Sequence, residues 1–296
     1  MVLDFTKGKY GLQLILLLII LLISGLIFQL LGMVIINSIY NFDVSALTED
    51  NSTQIIMETP NGYWIFFILM VLNSLGMFIL PSLVFANLIS KNPSQYLMIS
   101  KTRSLNFLSL LPVFALAGVV LVSFMGELNM KLSLPDVFKT MENDANALIQ
   151  YILSFKDSTH LISTLLLMAV IPALGEELFF RAVLQKVFIS WTKKNWIGIL
   201  LTAFIFSAIH FQFLTFLPRF FMGIMLGYLF VWSKNILIPI LAHFLHNSVS
   251  IIVSFYTESP EIETPETNNS LVVILSFVVM GAVCYAYYTL SKKNHV

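Results

Sequence analysis

The sequence LISTLLLMAVIPALGEELFFRAVL, residues 161–184, decides the fold, because it is almost wholly apolar and long enough to cross a lipid bilayer. Three charged residues interrupt it: Glu176, Glu177 and Arg181. Charged side chains at membrane depth are costly unless they are paired or hydrated. Only 11% of the chain is charged, so it has ample room to place charges elsewhere. These three residues therefore predict a functional site within a membrane helix.

The composition of the whole chain agrees with a membrane protein. The chain has 296 residues, of which 58% are hydrophobic, and a mean hydropathy of +0.87. Soluble domains are about 45–50% apolar and about 25% charged. We therefore predict an all-α polytopic membrane protein whose main surroundings are the lipid bilayer, with no nucleic-acid partner. The single cysteine, Cys284, excludes an internal disulfide.

Eight apolar segments are long enough to be predicted as transmembrane helices. The first is too long for the apolar core of a signal peptide and no cleavage site follows it, so we expect it to be retained. Only a short turn around residues 216–219 separates the fifth segment from the sixth. The eight segments cover residues 11–38, 64–89, 105–125, 159–180, 196–214, 216–233, 236–256 and 271–290.

Basic residues fall in alternate loops between these segments, and acidic residues are concentrated in the others. Basic loops mark the cytoplasmic side of a membrane. We therefore expect an integral multi-pass protein, in a bacterial cell membrane, with both termini cytoplasmic. The same pattern places Glu176 and Glu177 near the cytoplasmic half of the fourth segment. The basic set is Lys7, Lys9, Lys91, Lys101, Arg103, Lys186, Lys193, Lys194, Lys234, Lys292 and Lys293.

The chain divides into three predicted parts. Residues 1–158 hold three helices and an outer connector, residues 159–256 form a core, and residues 257–296 hold an acidic loop and the last helix. A helix is predicted to start near residues 134–138 of the connector, either resting on the membrane surface or in solvent. No internal repeat is visible.

The fourth segment contains a proline before its charges. Pro172 removes one backbone hydrogen bond and predicts a kink next to the glutamates. Glu177 and Arg181 are four residues apart, which puts them on one helix face as an ion pair. Glu176 lies about 100° around the helix and is left available for another role.

Polar partners occur in two later segments. His210 is in the fifth segment, while His243, His246 and Asn247 are in the seventh, where His243 and Asn247 share a face. Histidines and an asparagine within membrane helices, in a chain that also has two glutamates there, predict one common site.

The three motifs Glu-Glu-x-x-x-Arg, Phe-x-x-x-His and His-x-x-x-Asn, in this order, resemble the CPBP family. That family contains the type II CAAX prenyl endopeptidases and the bacteriocin-processing, or Abi, proteins. The resemblance covers about residues 159–256, which hold helices four to seven. Ala182 replaces the glycine found in many members, and His246 is additional, so which of the two histidines faces the site stays open. The matching residues are Glu176, Glu177, Arg181, Phe206, His210, His243 and Asn247.

The resemblance implies an intramembrane endopeptidase, and the residue types fit that chemistry. Glu176 is the predicted general base, His210 orients the water with it, and His243 and Asn247 hold the oxyanion. Glu177, Arg181 and Phe206 are predicted to support the site.

A metal-dependent version uses a divalent ion such as zinc, held by Glu176, His210 and His243. These ligands are spread over three helices and lack the local His-Glu-x-x-His spacing, so we favour metal-free water activation and leave the metal version open.

The expected substrate is a membrane-associated peptide or protein, prenylated or not, and bacteriocin maturation or self-immunity is an equal candidate. Two other classes compete with a protease. A proton-coupled transporter also carries intramembrane Glu, His and Arg, although transporters commonly show two related halves. A non-catalytic immunity or scaffold protein would keep the fold and bind a partner.

Overall fold

The protein is described by a computed structural model that covers residues 8–49, 51–99, 105–257 and 270–293. Within these ranges all regular secondary structure is helical, and seven helices are long and apolar enough to cross a membrane. The predicted class, an all-α polytopic membrane protein, is confirmed. Lys7, Lys101, Arg103 and the predicted acidic loop 258–269 lie outside the described residues.

Nine principal helices follow one another in the described part of the chain. One of them, α4, belongs to the connector between two spans, and the other eight correspond to the eight predicted segments. Short helical pieces are Val44–Thr48, Ser52–Glu58, Pro93–Tyr96, Leu105–Ser109 and Phe213–Thr215. The principal helices are α1 Tyr10–Tyr40, α2 Gly62–Ile89, α3 Leu111–Met130, α4 Asp136–Leu153, α5 Ser158–Thr192, α6 Asn195–Ala208, α7 Phe216–Ser233, α8 Leu237–Thr257 and α9 Ser270–Lys293.

The fifth predicted segment is shorter than predicted. Helix α6 has 14 residues, about 21 Å at 1.5 Å per residue, whereas the hydrocarbon core of a bilayer is about 30 Å thick. The helix ends at Ala208, and the chain turns away from the helix axis at Phe211, which has a left-handed backbone with φ of 54°. A short 3₁₀ turn then leads into α7, which packs closely against α6. A Cβ atom on Gly223 would lie 2.9 Å from the Cβ of Ala203, so glycine permits this approach.

The fourth predicted segment is longer than predicted and corrects the expected depth of the glutamates. Helix α5 continues to Thr192, so Glu176 and Glu177 lie near its middle and not toward one of its ends. The helix continues because polar side chains beyond the glutamates find partners inside the bundle. Gln185 donates to the Gly227 carbonyl at 3.1 Å, and Lys186 donates to the Tyr96 carbonyl.

Two spans widen into π-helical turns just before a proline. In α2 the wide turn covers Leu75–Ile79 and precedes Pro81, and in α5 it covers Leu166–Val170 and precedes Pro172. Proline has no N–H for the carbonyl four residues earlier, which disturbs the α-helical hydrogen-bond ladder. A second π-helical stretch, Glu177–Gln185, carries the charged residues of α5. Such turns occur often at functional sites.

The connecting segments meet at two opposite ends of the bundle. At one end, Lys193 donates to the Tyr10 hydroxyl at 3.0 Å, and the Ile236 N–H donates to the Met98 carbonyl at 3.2 Å. At the other end, Lys156 of the connector donates to the Ser254 carbonyl at 3.0 Å. We call these the lysine-rich end and the connector end.

Candidate active site

A cavity of about 450 Å³ lies inside the bundle, between α2, α4, α5, α7 and α8. Its walls are mostly apolar, and Phe206 lies among them. All four predicted catalytic residues line this one cavity, and they come from two helices and one turn. The charged, imidazole and amide side chains that line it are Asn73, Glu176, His210, Arg219, His243, His246 and Asn247.

Glu177 joins α5 to α8 beneath the cavity. Its Oε1 atom lies 2.8 Å from Nδ1 of His243 and 2.9 Å from Nη1 of Arg181. Both the glutamate and the arginine are almost completely buried. Because a carboxylate accepts hydrogen bonds, Nδ1 of His243 carries the proton in this contact. Nε2 is then the ring nitrogen available to the cavity.

Arg181 is held by three different groups. It lies four residues after Glu177, as the spacing predicts for an ion pair, and its Nη2 donates to the Gly223 carbonyl at 3.4 Å. Its guanidinium carbon lies 4.7 Å from the ring centre of Phe206, a cation–π distance. Phe206 thus packs against Arg181 and also makes an edge contact with His210, with ring centres 5.4 Å apart.

His210 lies in the turn immediately after α6. Its Nδ1 donates to the Phe206 carbonyl at 2.8 Å, one of the carbonyls left without a helical partner at the end of α6. This contact fixes the ring, and none of the described residues binds Nε2, as in His243. Both predicted histidines therefore have one nitrogen bound to the scaffold and one available for chemistry.

Asn247 supplies a hydrogen bond that Pro172 removes from the backbone of helix α5. Pro172 has no N–H to donate to the carbonyl of Met168, four residues earlier. The Nδ2 atom of Asn247 donates to that same carbonyl at 3.0 Å. A side-chain amide carries two donors, so the second hydrogen remains available to a group in the cavity.

Glu176 and His246 complete the polar lining. Glu176 is half-buried and is close enough to His243 and Arg219 to interact with both electrostatically. Nδ1 of His246 is buried and has no hydrogen-bond partner among the described residues. Both His243 and His246 line the cavity. Of these two, only His243 contacts Glu177.

The three predicted metal ligands, Glu176, His210 and His243, line the same cavity. Among the described residues, no group of three or more His, Cys, Asp or Glu side chains is placed to hold a metal ion. The metal-dependent version, with Glu176, His210 and His243 as ligands, stays a prediction.

A network around the turn after α6 was not predicted from the sequence. Arg219 donates to the Thr215 hydroxyl at 2.6 Å and also contacts Gln212. Glu142, a buried residue of α4, accepts from the same hydroxyl at 2.8 Å and from the Leu214 N–H at 3.2 Å. These hydrogen bonds to Glu142 thus hold the turn that carries His210 against the connector.

Asn129 fixes the same turn from the end of α3. Its amide donates to the Phe213 carbonyl at 2.9 Å and its Oδ1 accepts from the Leu217 N–H at 2.7 Å. Neither Asn129 nor Glu142 belongs to a recognisable motif, because each acts through backbone groups distant in sequence. For Asn129 the signal in the sequence is a polar residue near the end of an apolar helix, whereas Glu142 lies inside a polar helix and gives no such signal.

Comparison with protein families gives a match over the part of the chain that forms much of this cavity. Residues 158–249 match the family model of the Type II CAAX prenyl endopeptidase Rce1-like proteins. The match covers α5, α6, α7 and most of α8, and it contains all seven motif residues. This confirms the resemblance to the CPBP family, a family of proteases, over that part of the chain. A search of curated proteins gives no match. A search of solved structures gives none either.

Proposed function

We propose that the protein is an intramembrane endopeptidase that hydrolyses a peptide bond in a membrane-associated peptide or protein. One observation carries the proposal: Glu176, His210, His243 and Asn247 line a single cavity. Hydrolysis needs an activated water, stabilisation of the oxyanion and a proton for the leaving amine, and this set can supply all three.

Glu176 is the proposed general base. Its carboxylate takes a proton from a water molecule, and the water oxygen bonds to the carbonyl carbon of the substrate. His210 orients this water through the free Nε2. The protonated Glu176 then gives its proton to the amide nitrogen as the carbon–nitrogen bond breaks. Water is thereby consumed, a carboxyl group and an amine are formed, and Glu176 returns to its starting state.

His243 and Asn247 are proposed to hold the oxyanion. Asn247 would use the amide hydrogen that does not contact Met168. For His243 to donate through Nε2 it must carry protons on both ring nitrogens, and Glu177 at 2.8 Å is placed to stabilise that cation. Arg181 contacts the same carboxylate, so Glu177, Arg181 and the doubly protonated His243 carry a net charge of +1, which the negative charge of the oxyanion offsets. The role proposed for Glu177 is therefore positioning, through His243, and not contact with the substrate.

The proposed setting is a bacterial cell membrane with both termini cytoplasmic. The support is the charge pattern of the loops, which places basic residues in alternate connections. The substrate class is a peptide segment that can enter an apolar cavity, and prenylation is a feature to be tested.

The test is proteolysis of a membrane peptide by the purified protein in lipid vesicles. Matched prenylated and unmodified peptides are compared, with wild type and with Glu176→Ala, in the presence and absence of a chelator. Cleavage by wild type that Glu176→Ala abolishes supports the proposal. Equal activity of both proteins overturns the assignment of Glu176, and loss of activity with the chelator, reversed by zinc, overturns the metal-free version. Proton-coupled flux without cleavage would favour a transporter.

A further inference from the structure

The cavity is closed toward the lysine-rich end. Every residue of the π-helical stretch Glu177–Gln185 is buried, including the charged ones. The facing part of α7 is equally closed, because Leu226, Leu229 and Phe230 are almost wholly inaccessible. No path for a peptide leads from Glu176 toward that end through these described residues.

The cavity continues toward the connector end. Helix α4 contributes Leu148, Ile149 and Ile152 to its wall, although α4 does not span the membrane. The turn that carries His210 also belongs to this end, and Phe211 beside it is 60% exposed. The proposed catalytic groups thus lie at the end of the cavity that is farther from the connector, and the connector forms the wall at the other end.

The two ends differ strongly in charge. Eight described lysines and no described acidic residue lie at the lysine-rich end: Lys9, Lys91, Lys186, Lys193, Lys194, Lys234, Lys292 and Lys293. The acidic residues of the connector end include Asp43, Glu49, Glu58, Glu127, Glu142 and Asp157, and its described basic residues are Lys131, Lys139, Lys156 and Arg219. Excess lysine marks the cytoplasmic face of a membrane protein.

We infer that the substrate reaches Glu176 through the half of the bundle that carries α4, from the outer face of the membrane. This inference rests on the proposed function and adds the side on which it acts. The bond to be cleaved then lies in the extracytoplasmic part of a membrane peptide. The aliphatic wall formed by α4 favours apolar side chains in the part of the peptide that occupies the outer half of the cavity, because an unpaired polar group there would lose its hydration.

Cysteine accessibility tests the direction of access without relying on activity. Cys284 is the single cysteine, so Cys284→Ser gives a background without thiols. Ile149→Cys reports on the cavity, Val137→Cys on the exposed face of α4, and Lys91→Cys on the exposed lysine-rich end. Intact cells are treated with a membrane-impermeant thiol reagent before and after permeabilisation.

We expect residues 137 and 149 to be labelled in intact cells and residue 91 only after permeabilisation. A cleavable peptide added outside should slow labelling at residue 149 and leave residue 137 unchanged. Labelling of residue 149 only after permeabilisation, or no labelling of it even in detergent, would overturn the inference. Either result is independent of cleavage, so failure of the access route is distinguishable from failure of the proposed protease activity.

Discussion

The contact between Asn247 and Met168 allows a structural role to be separated from a catalytic one. In the native chain Pro172 leaves the Met168 carbonyl without its α-helical donor, and the amide of Asn247 replaces that donor at 3.0 Å. Asn247→Ala should therefore lower the free energy of unfolding by about 1–3 kcal/mol, the cost of an unpaired buried polar group. It should also lower kcat by about 10²–10³, the usual effect of removing one oxyanion donor.

The same substitution in a Pro172→Ala background distinguishes the two effects. An alanine in place of Pro172 restores an N–H that can donate to the Met168 carbonyl, so the stability cost of Asn247→Ala should fall by about 1 kcal/mol. The loss of kcat should remain, because the restored N–H lies within the helix ladder. Chemical denaturation in detergent and peptide-cleavage kinetics measure the two quantities, with Pro172→Ala alone as the control. Equal stability costs in both backgrounds would refute the role of Asn247 as the replacement donor to the Met168 carbonyl. Recovery of kcat in the double variant would refute its role in holding the oxyanion.

Three further perturbations test other parts of the site. Glu177→Gln keeps the size of the side chain but removes its charge. We expect kcat to fall by about 10–100-fold, because His243 loses the carboxylate that orients it. Unchanged kinetics would contradict this. Glu142→Ala should lower kcat more than it raises KM, because the turn that carries His210 loses its contacts with α4. Glu142→Gln should recover part of the lost kcat. A change in KM alone would contradict this positioning role of Glu142. The pKa of the Asp157 carboxyl is lowered, chiefly by the backbone N–H of His160, so the stability it contributes is present at neutral pH and is lost as pH falls through that lowered value. The melting temperatures of wild type and Asp157→Ala should therefore converge in acid, and a constant difference across the titration would contradict this.

The sequence was sufficient to predict that Glu176, His210, His243 and Asn247 meet at one cavity, but not that Asn73 and Arg219 line it too. Charges are so unfavourable within a membrane helix that Glu176, Glu177 and Arg181 stand out, and the later histidines are conspicuous for the same reason. The pair Glu177–Arg181 follows from helical spacing alone. By contrast, the contact between Glu177 and His243 depends on how α5 packs on α8, which spacing within one helix cannot reveal.

Helix lengths and the turn after α6 were harder to predict. Hydropathy favoured a span over residues 196–214, yet α6 ends at Ala208, because side chains from α3 and α4 bind the turn that follows. Similarly, α5 extends beyond the predicted residue 180 because Gln185 and Lys186 find carbonyl acceptors in neighbouring segments. In both cases tertiary contacts outweigh the local pattern.

The central claim is that Glu176 activates the water that cleaves the substrate. The most direct measurement is single-turnover cleavage of a membrane peptide in ¹⁸O-labelled water by wild type and by Glu176→Gln, with melting temperatures recorded for both. We expect one ¹⁸O atom in the new carboxyl group with wild type, and a loss of rate of about 10³-fold or more in the variant with its fold intact. Cleavage by a correctly folded Glu176→Gln at a rate near that of wild type would contradict it.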